Sequence, residues 1–454
     1  MNLNQKRLSL ILCVLVAVCS VNMYATVNSE KKAFTIDDYA RWQSIVSTAI
    51  SHNGNWMTFG YRKVKADDTL TIKSLTSDKE HEIPRGSRPQ FSDDSKWIAC
   101  IISVEWKEAE KLRKEKKPVP DKAQLMNLVS GEKMTWENVA SISFSKGSKF
   151  FTVKKTKSDR KAKHNGTDLI LHNLDRGSDL NLGSVGSFMF NKPGTLLAYT
   201  VDAAEKAGNG LYLIDLGTGT LKSMDNGKAD YAHMTWNEKG TTLAVLKGTK
   251  NKEFKQKDNV LVAFVGLTGK KPTKIEYDPA KDTKFPENMV ISEKSASGSR
   301  FRRGRSTRGA LFWSEDNSQI FCGIKEQEKE PEKKKKDADP VADVDIWHWK
   351  DEVIQSAQMK RAGRERSFTY RSVYNWRTKR FIRLTDEKMR TISITRSGKW
   401  GIGRDDKAYI SDWKETQADY YRVNTTTGER TSMFKGQGRV LGLSPDSKHF
   451  LYWK

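Results

Sequence analysis

Eight times in 454 residues the chain repeats one short pattern. The copies are ISHNGNW (50–56), FSDDSKW (91–97), FSKGSKF (144–150), FNKPGTL (190–196), WNEKGTTL (236–243), WSEDNSQI (313–320), ITRSGKW (394–400) and LSPDSKHF (443–450). The first position is apolar in all eight, and the next is Ser, Asn or Thr: Ser51, Ser92, Ser145, Asn191, Asn237, Ser314, Thr395 and Ser444. Two or three turn formers follow, and then a large apolar residue opens a new extended stretch. Asn, Asp, Gly and Ser supply the backbone conformations of tight hairpin turns, so each copy reads as two strands joined by a turn.

A second hairpin follows most copies, as in TDLILHNLDRGSDLNL (167–182), NGLYLIDLGTGTLKSM (209–224) and ADYYRVNTTTGERTSMF (418–434). Two hairpins per unit make four antiparallel strands. From Ser51 to Ser444 the spacings are 41, 53, 46, 46, 77, 81 and 49 residues. Five of the seven suit one propeller blade of about 40–50 residues. A β-sandwich would not repeat one turn eight times. The fold class expected is therefore all-β: a β-propeller of four-stranded antiparallel blades, seven complete plus a partial eighth. The eighth copy is followed only by LYWK, so the propeller, residues 26–454, reads as incomplete at its C-terminus. Residues 34–48 would add at most one closing strand. Charged inserts are expected near 103–123, 276–308 and 325–367.

Lys6 and Arg7 precede an apolar run, Leu8 to Val18, with small and polar residues up to Ala25. That order marks residues 1–25 as a signal peptide, cleaved near Ala25, and the run is too short to span a bilayer comfortably. The mature chain is expected in the periplasm or outside the cell, with no membrane span. Export also decides the meaning of the +24 net charge. RFRRGRSTRG (300–309) would be the contact patch for nucleic acid, but an exported chain meets little of it. The other lysines lie in solvated mixed-sign runs, so no nucleic-acid partner is expected. Cys13 and Cys19 fall in the signal segment. Cys100 and Cys322 remain, in what would be opposite blades of the ring, and are expected unpaired and buried.

Gly442-Leu443-Ser444-Pro445-Asp446 stops one residue short of the G-x-S-x-G of serine hydrolases. A nucleophile elbow needs a strand, a sharp turn and a helix. A turn and a strand follow Ser444, which is in register with seven other turns, so it reads as structural. Gly304-Arg305-Ser306-Thr307-Arg308-Gly309 has its second glycine one place late. The histidines form no catalytic or zinc pattern, and no phosphate loop or dinucleotide fingerprint is present. No catalytic residue, cofactor or metal site is expected.

The repeated turn is neither of the WD40 nor of the kelch type. It resembles the SPDGK blades of TolB-like and prolyl oligopeptidase-like propellers. DVDIWHWKD (343–351), IQSAQ (354–358), YRSVYNWRTKRFIRLTD (370–386), FTIDDYARWQSI (34–45) and the Lys/Glu-rich insert in the second blade add to this. Together they resemble the propellers of large secreted prolyl oligopeptidase-family serine peptidases of Bacteroidetes-like bacteria, over nearly the whole mature chain. The resemblance implies a propeller that filters or recruits oligopeptides for a Ser-Asp-His triad on a C-terminal α/β-hydrolase domain. No residue here matches that triad, so the chain is expected to be inactive alone. No paired-Glu motif of the dipeptidyl-peptidase branch stands in a comparable aromatic setting. Trp347, Trp349 and Asp351 are the candidate site residues, with two readings open: they line the path to substrate, or they pack the insert onto a blade. The competing function is a free-standing TolB-like envelope propeller that binds peptide or protein. DNA after codon 454 discriminates the two: a reading frame with G-x-S-x-G supports the peptidase, unrelated genes the scaffold.

Overall fold

The computed structural model describes residues 34–453, except 64–65, 160, 270, 296–308, 331–343, 350 and 412–413. The signal segment 1–25, and nearly all of the basic stretch 300–309, lie outside the described residues. Strands pair in sequence order except at the start of blade 6, and every pair is antiparallel. They make blade 1 (43–84), blade 2 (86–136), blades 3 and 4 (139–226), blade 5 (230–277), blade 6 (289–383) and blade 7 (391–437). An eighth sheet has two strands, Val440–Leu443 and Phe450–Tyr452. Seven complete blades and a partial eighth are thus present, as the repeat predicts.

Blades 3 and 4 share one long strand, Ser178–Phe190. Its first half is the outer strand of blade 3, pairing with Thr167–Asn173, and its second half is the inner strand of blade 4, pairing with Leu196–Val201. Register shifts on both sides of Val185, with Ser184 at φ 54°, turn the strand from one blade to the next.

The eight repeated turns have one geometry. In each, the first turn residue donates its backbone N–H to the carbonyl five residues on, as in Ser51 N to Trp56 O at 2.9 Å and Ser444 N to His449 O at 2.8 Å. The fourth turn residue has positive φ in all eight: Gly54, Ser95, Ser148, Gly194, Gly240, Asn317, Gly398 and Ser447. The side chain of the first residue then reaches back across the turn. Its oxygen accepts the backbone N–H five residues later in all eight copies, from Trp56, Trp97, Phe150, Leu196, Thr242, Gln319, Trp400 and His449. Only Ser, Thr, Asn or Asp is short enough for this, which explains the composition of that position.

The fourth residue also touches the preceding blade. Ser95 Oγ accepts Asn53 N at 3.1 Å, Ser148 Oγ accepts Asp93 N at 2.6 Å, and Ser447 Oγ accepts Arg396 N at 3.3 Å. Asn317 Oδ1 accepts Asn237 Nδ2 at 3.0 Å, and Gly240 O accepts Asn191 Nδ2 at 3.1 Å. At Gly194 a β-carbon would lie 2.3 Å from Lys146 O, and at Gly398 2.6 Å from Ser314 Cβ. Gly54, in the first turn, has nothing within 4 Å of that position.

Apolar packing follows the same series. Seven buried clusters each join two consecutive blades, from Leu70, Ile72, Ile98 and Met126 between blades 1 and 2 to Ile402, Tyr420, Leu443 and Phe450 between blades 7 and 8. Among the described residues no buried cluster joins blade 8 to blade 1. Ile45 and Ile50 in blade 1 are exposed, as are Leu441, Leu451 and Trp453 in and beside blade 8. Blades 4 and 5 are also pinned by Asp225, which accepts from Lys247 Nζ (2.9 Å), Lys274 Nζ (2.6 Å) and Tyr231 Oη (2.7 Å).

Two expectations are corrected. Residues 34–48 do not supply a closing strand. Ile36–Arg41 is a 3-10 helix, and Gln43–Ile50 is the inner strand of blade 1 itself. The insert at 276–308 is narrower than its composition suggests, because Met289–Ser292 is the first part of the inner strand of blade 6. Phe312–Trp313 pairs with the same neighbour, Gln319–Glu326, further along. The second-blade insert carries helix α1, Trp106–Lys114, and the sixth-blade insert carries helix α2, Gln355–Arg366. Cys100 and Cys322 are unpaired and buried, and burial pushes both thiols up to about 12.

The turn contacts make unequal glycines. Gly54→Ala should cost about 1 kcal/mol for the left-handed backbone alone. Gly194→Ala adds a clash with a neighbouring carbonyl and should cost about 1–3 kcal/mol more. Chemical denaturation of the two variants checks this, and equal losses would mean that consecutive turns do not press on each other.

Candidate functional site

The inner strands of blades 5 to 8 end at the repeated turns, and there they enclose a cavity of about 620 Å³. Trp236, Trp313, Ile394 and Leu443 line it, each the apolar residue before a turn. The two indoles are half-buried and held by their N–H groups. Trp236 Nε1 donates to Met189 O of the blade 4 inner strand, and Trp313 Nε1 to Thr235 O of blade 5, each at 3.2 Å. Phe312, also in the lining, stacks on buried Phe321 at 4.6 Å. Glu238, Glu315 and Arg396 supply charge at the rim. Hydrogen bonding from Lys192 holds the Glu238 carboxyl below its ordinary range. The site thus offers fixed aromatic faces with charges of both signs, which suits a chain carrying apolar side chains and backbone amides.

Ser444 also lines this cavity, as a turn residue. Its hydroxyl donates to Asp446 Oδ1 and accepts His449 N at 3.0 Å. Among the described residues no imidazole nitrogen hydrogen-bonds to it. The hydroxyl's own hydrogen bond holds the exposed Asp446 carboxyl below its usual range. A carboxylate so stabilised is a poor base for a serine hydroxyl, and the turn leads into a strand, Phe450–Tyr452, where a nucleophile elbow leads into a helix. Among the described residues no group of three His, Cys, Asp or Glu side chains is placed to hold a metal ion.

Trp347, Trp349 and Asp351 lie elsewhere. They belong to the insert between the second and third strands of blade 6, which leaves the sheet at the end opposite the repeated turns. Trp347 is 66% exposed and Trp349 84%. Both are thus largely exposed, and neither lines the axial cavity. Asp351 organises its own turn: its Oδ2 accepts His348 N at 3.1 Å, and its N–H donates to His348 O at 3.0 Å. With Val344, Ile346, Ile354 and Met359, also exposed, the two tryptophans form an apolar surface stretch.

Sequence reasoning used Trp236 and Trp313 only as copies of a repeat. The signal for their role was present: two of the eight copies place Trp where the others have Ile, Phe or Leu. Among the described residues no helix is long and apolar enough to cross a membrane.

Ser444→Ala should leave the chain folded, and a fluorophosphonate serine probe should label neither the native chain nor the variant. Labelling that disappears in Ser444→Ala would make this serine a nucleophile.

No family model and no curated protein sequence matches the chain. Solved structures that align with it include the β-propeller domain of the Trilobed protease from Pyrococcus furiosus, at 10% identity over 90% of this chain and 98% of that one, with a TM-score of 0.33. A eukaryotic initiation factor aligns at 11% identity over 92% and 81%, TM-score 0.38. A prolyl endopeptidase aligns at 10% identity over 87% of this chain and 50% of that chain, TM-score 0.36. Likenesses this distant carry no argument about function.

Proposed function

We propose that this chain is the peptide-handling propeller of a prolyl oligopeptidase-type serine peptidase. It admits and holds oligopeptides for a Ser-Asp-His hydrolase domain, and it acts after export from the cytoplasm. The observation that carries this reading is the axial cavity, with two pinned indoles and a phenyl ring at its wall and a serine without a base. Such a wall stacks against proline and aromatic side chains and leaves the chemistry to another domain. The motif resemblance around 343–351 and 370–386 supports the same reading. The exposed Trp347 and Trp349 then belong to the surface that an oligopeptide or the hydrolase domain meets on the other face.

The test is binding. A proline-containing octapeptide added to the purified chain should quench its tryptophan fluorescence saturably. Trp313→Ala should weaken that binding about tenfold, the loss of one stacking contact of roughly 1.4 kcal/mol, while Trp313→Phe keeps most of it. An unchanged affinity in Trp313→Ala would remove the axial cavity from the account. Binding of folded proteins but of no oligopeptide would favour the free-standing envelope scaffold.

A further inference from the structure

The inner strand of each blade has one edge paired within the blade and the other turned to the axis. An open strand edge is a template for pairing, and folded chains normally blunt it with bulges or cover it. Seven of the eight inner strands are interrupted. In blades 1 to 5 and 8 the register shifts along the inner strand, as between Val46 and Ala49 and between Ala232 and Thr235. In blade 6 residues 293–311 separate the two parts of the strand. In blade 3 the edge is also covered, because Gln90 Nε2 from blade 2 donates to Ile142 O at 3.3 Å. Among the described residues blade 7 is the exception. Its inner strand, Thr391–Ile394, pairs with Arg404, Gly403, Ile402 and Gly401 in unbroken register.

The open groups of this edge can be placed. Thr395 donates its N–H to Trp400 O, so the alternation of an antiparallel ladder turns the N–H and C=O of Ile394 and Ile392 toward the axis. Among the described residues no other hydrogen bond engages them. Ser393 and Ile394 line the axial cavity. Phe312 and Trp313 of blade 6 stand on one side of the edge and Leu443 of blade 8 on the other.

We propose that an oligopeptide binds in the axial cavity by adding a strand to blade 7, parallel to Thr391–Ile394. The inference rests on the reading of that cavity as a peptide site and adds the mode of binding. Side chains of an added strand alternate between the two faces of the sheet, here toward blade 6 and toward blade 8. The side chains of Ile392 and Ile394 point to blade 6. Direction follows from proline, which has no N–H to donate. In an antiparallel addition the residue that faces Trp313 lies opposite Ile392 or Ile394 and is the one that must donate. In a parallel addition the donor is the residue opposite Ser393, whose side chain points to blade 8. Its N–H meets Ile392 O, and its C=O accepts Ile394 N–H. A neighbouring proline then lies on Trp313 with its nitrogen turned away from the strand.

The experiment is quenching of tryptophan fluorescence in the purified chain by the octapeptide AAAPAAAA, N-methylated at one residue at a time. Methylation of the residue just before or just after the proline should weaken binding about tenfold at one or both positions, the loss of a main-chain hydrogen bond. Methylation two residues before or after the proline should change it less than about threefold. Equal effects at all four positions, or losses only at the outer two, would overturn the strand addition. Hydrogen exchange on the unmodified complex locates the edge. At saturation the Ile394 amide should exchange more slowly, while that of Phe144, its equivalent in blade 3, keeps its rate. An unchanged Ile394 rate also overturns the proposal. Saturable binding that Trp313→Ala weakens, with neither effect, leaves the axial site standing without the added strand. No binding of the unmodified octapeptide fails the reading of the cavity itself, so the two failures are read separately.

Discussion

A single side-chain hydrogen bond, repeated eight times, organises this molecule. A Ser, Thr or Asn oxygen accepts the backbone N–H that would otherwise be left unpaired where the second strand of each blade begins. In the first seven copies that side chain is buried, at 0–6% exposure. Leaving such an N–H unsatisfied in the interior costs about 1–3 kcal/mol. The turn so fixed presents its fourth residue to the blade before it. Side-chain and main-chain hydrogen bonds, or close glycine contacts, then link every consecutive pair of blades. The apolar clusters between blades repeat the same order.

Much of this was legible because the turn chemistry is local. An apolar residue, a short oxygen-bearing side chain and a residue suited to positive φ are composition facts, and their spacing set the number of blades. What sequence did not show has non-local causes. Ser47, Arg88 and His233 adopt positive φ in inner strands at register shifts, a conformation their residue types do not advertise. The inner strand of blade 6 is split into Met289–Ser292 and Phe312–Trp313, and each part is too short to show an alternating pattern. Residues 43–48 belong to blade 1 because of their pairing with Trp56–Lys63, which no local signal announces.

The candidate site was legible only in part. Ser444 could be placed as a turn residue by register alone, and the structure agrees. Trp347 and Trp349 stand out through the resemblance carried by DVDIWHWKD (343–351), and they lie exposed on the face away from the axial cavity. Trp236 and Trp313 carry the cavity instead, because strand direction brings the residue before each turn toward the axis. The two faces thus differ in construction: aromatic at the turns, loop-built with charges of both signs at the other end. A propeller built in series can vary each face without disturbing the packing between blades.

The most direct measurement is native-state hydrogen exchange of the eight amides bonded to the turn side chains, from Trp56 to His449. If the turns rivet the blades in series, the seven inner amides should exchange only with unfolding of the array. His449 should exchange faster, since its serine is only half-buried. Rapid exchange at all eight, at rates typical of exposed loops, would contradict the account.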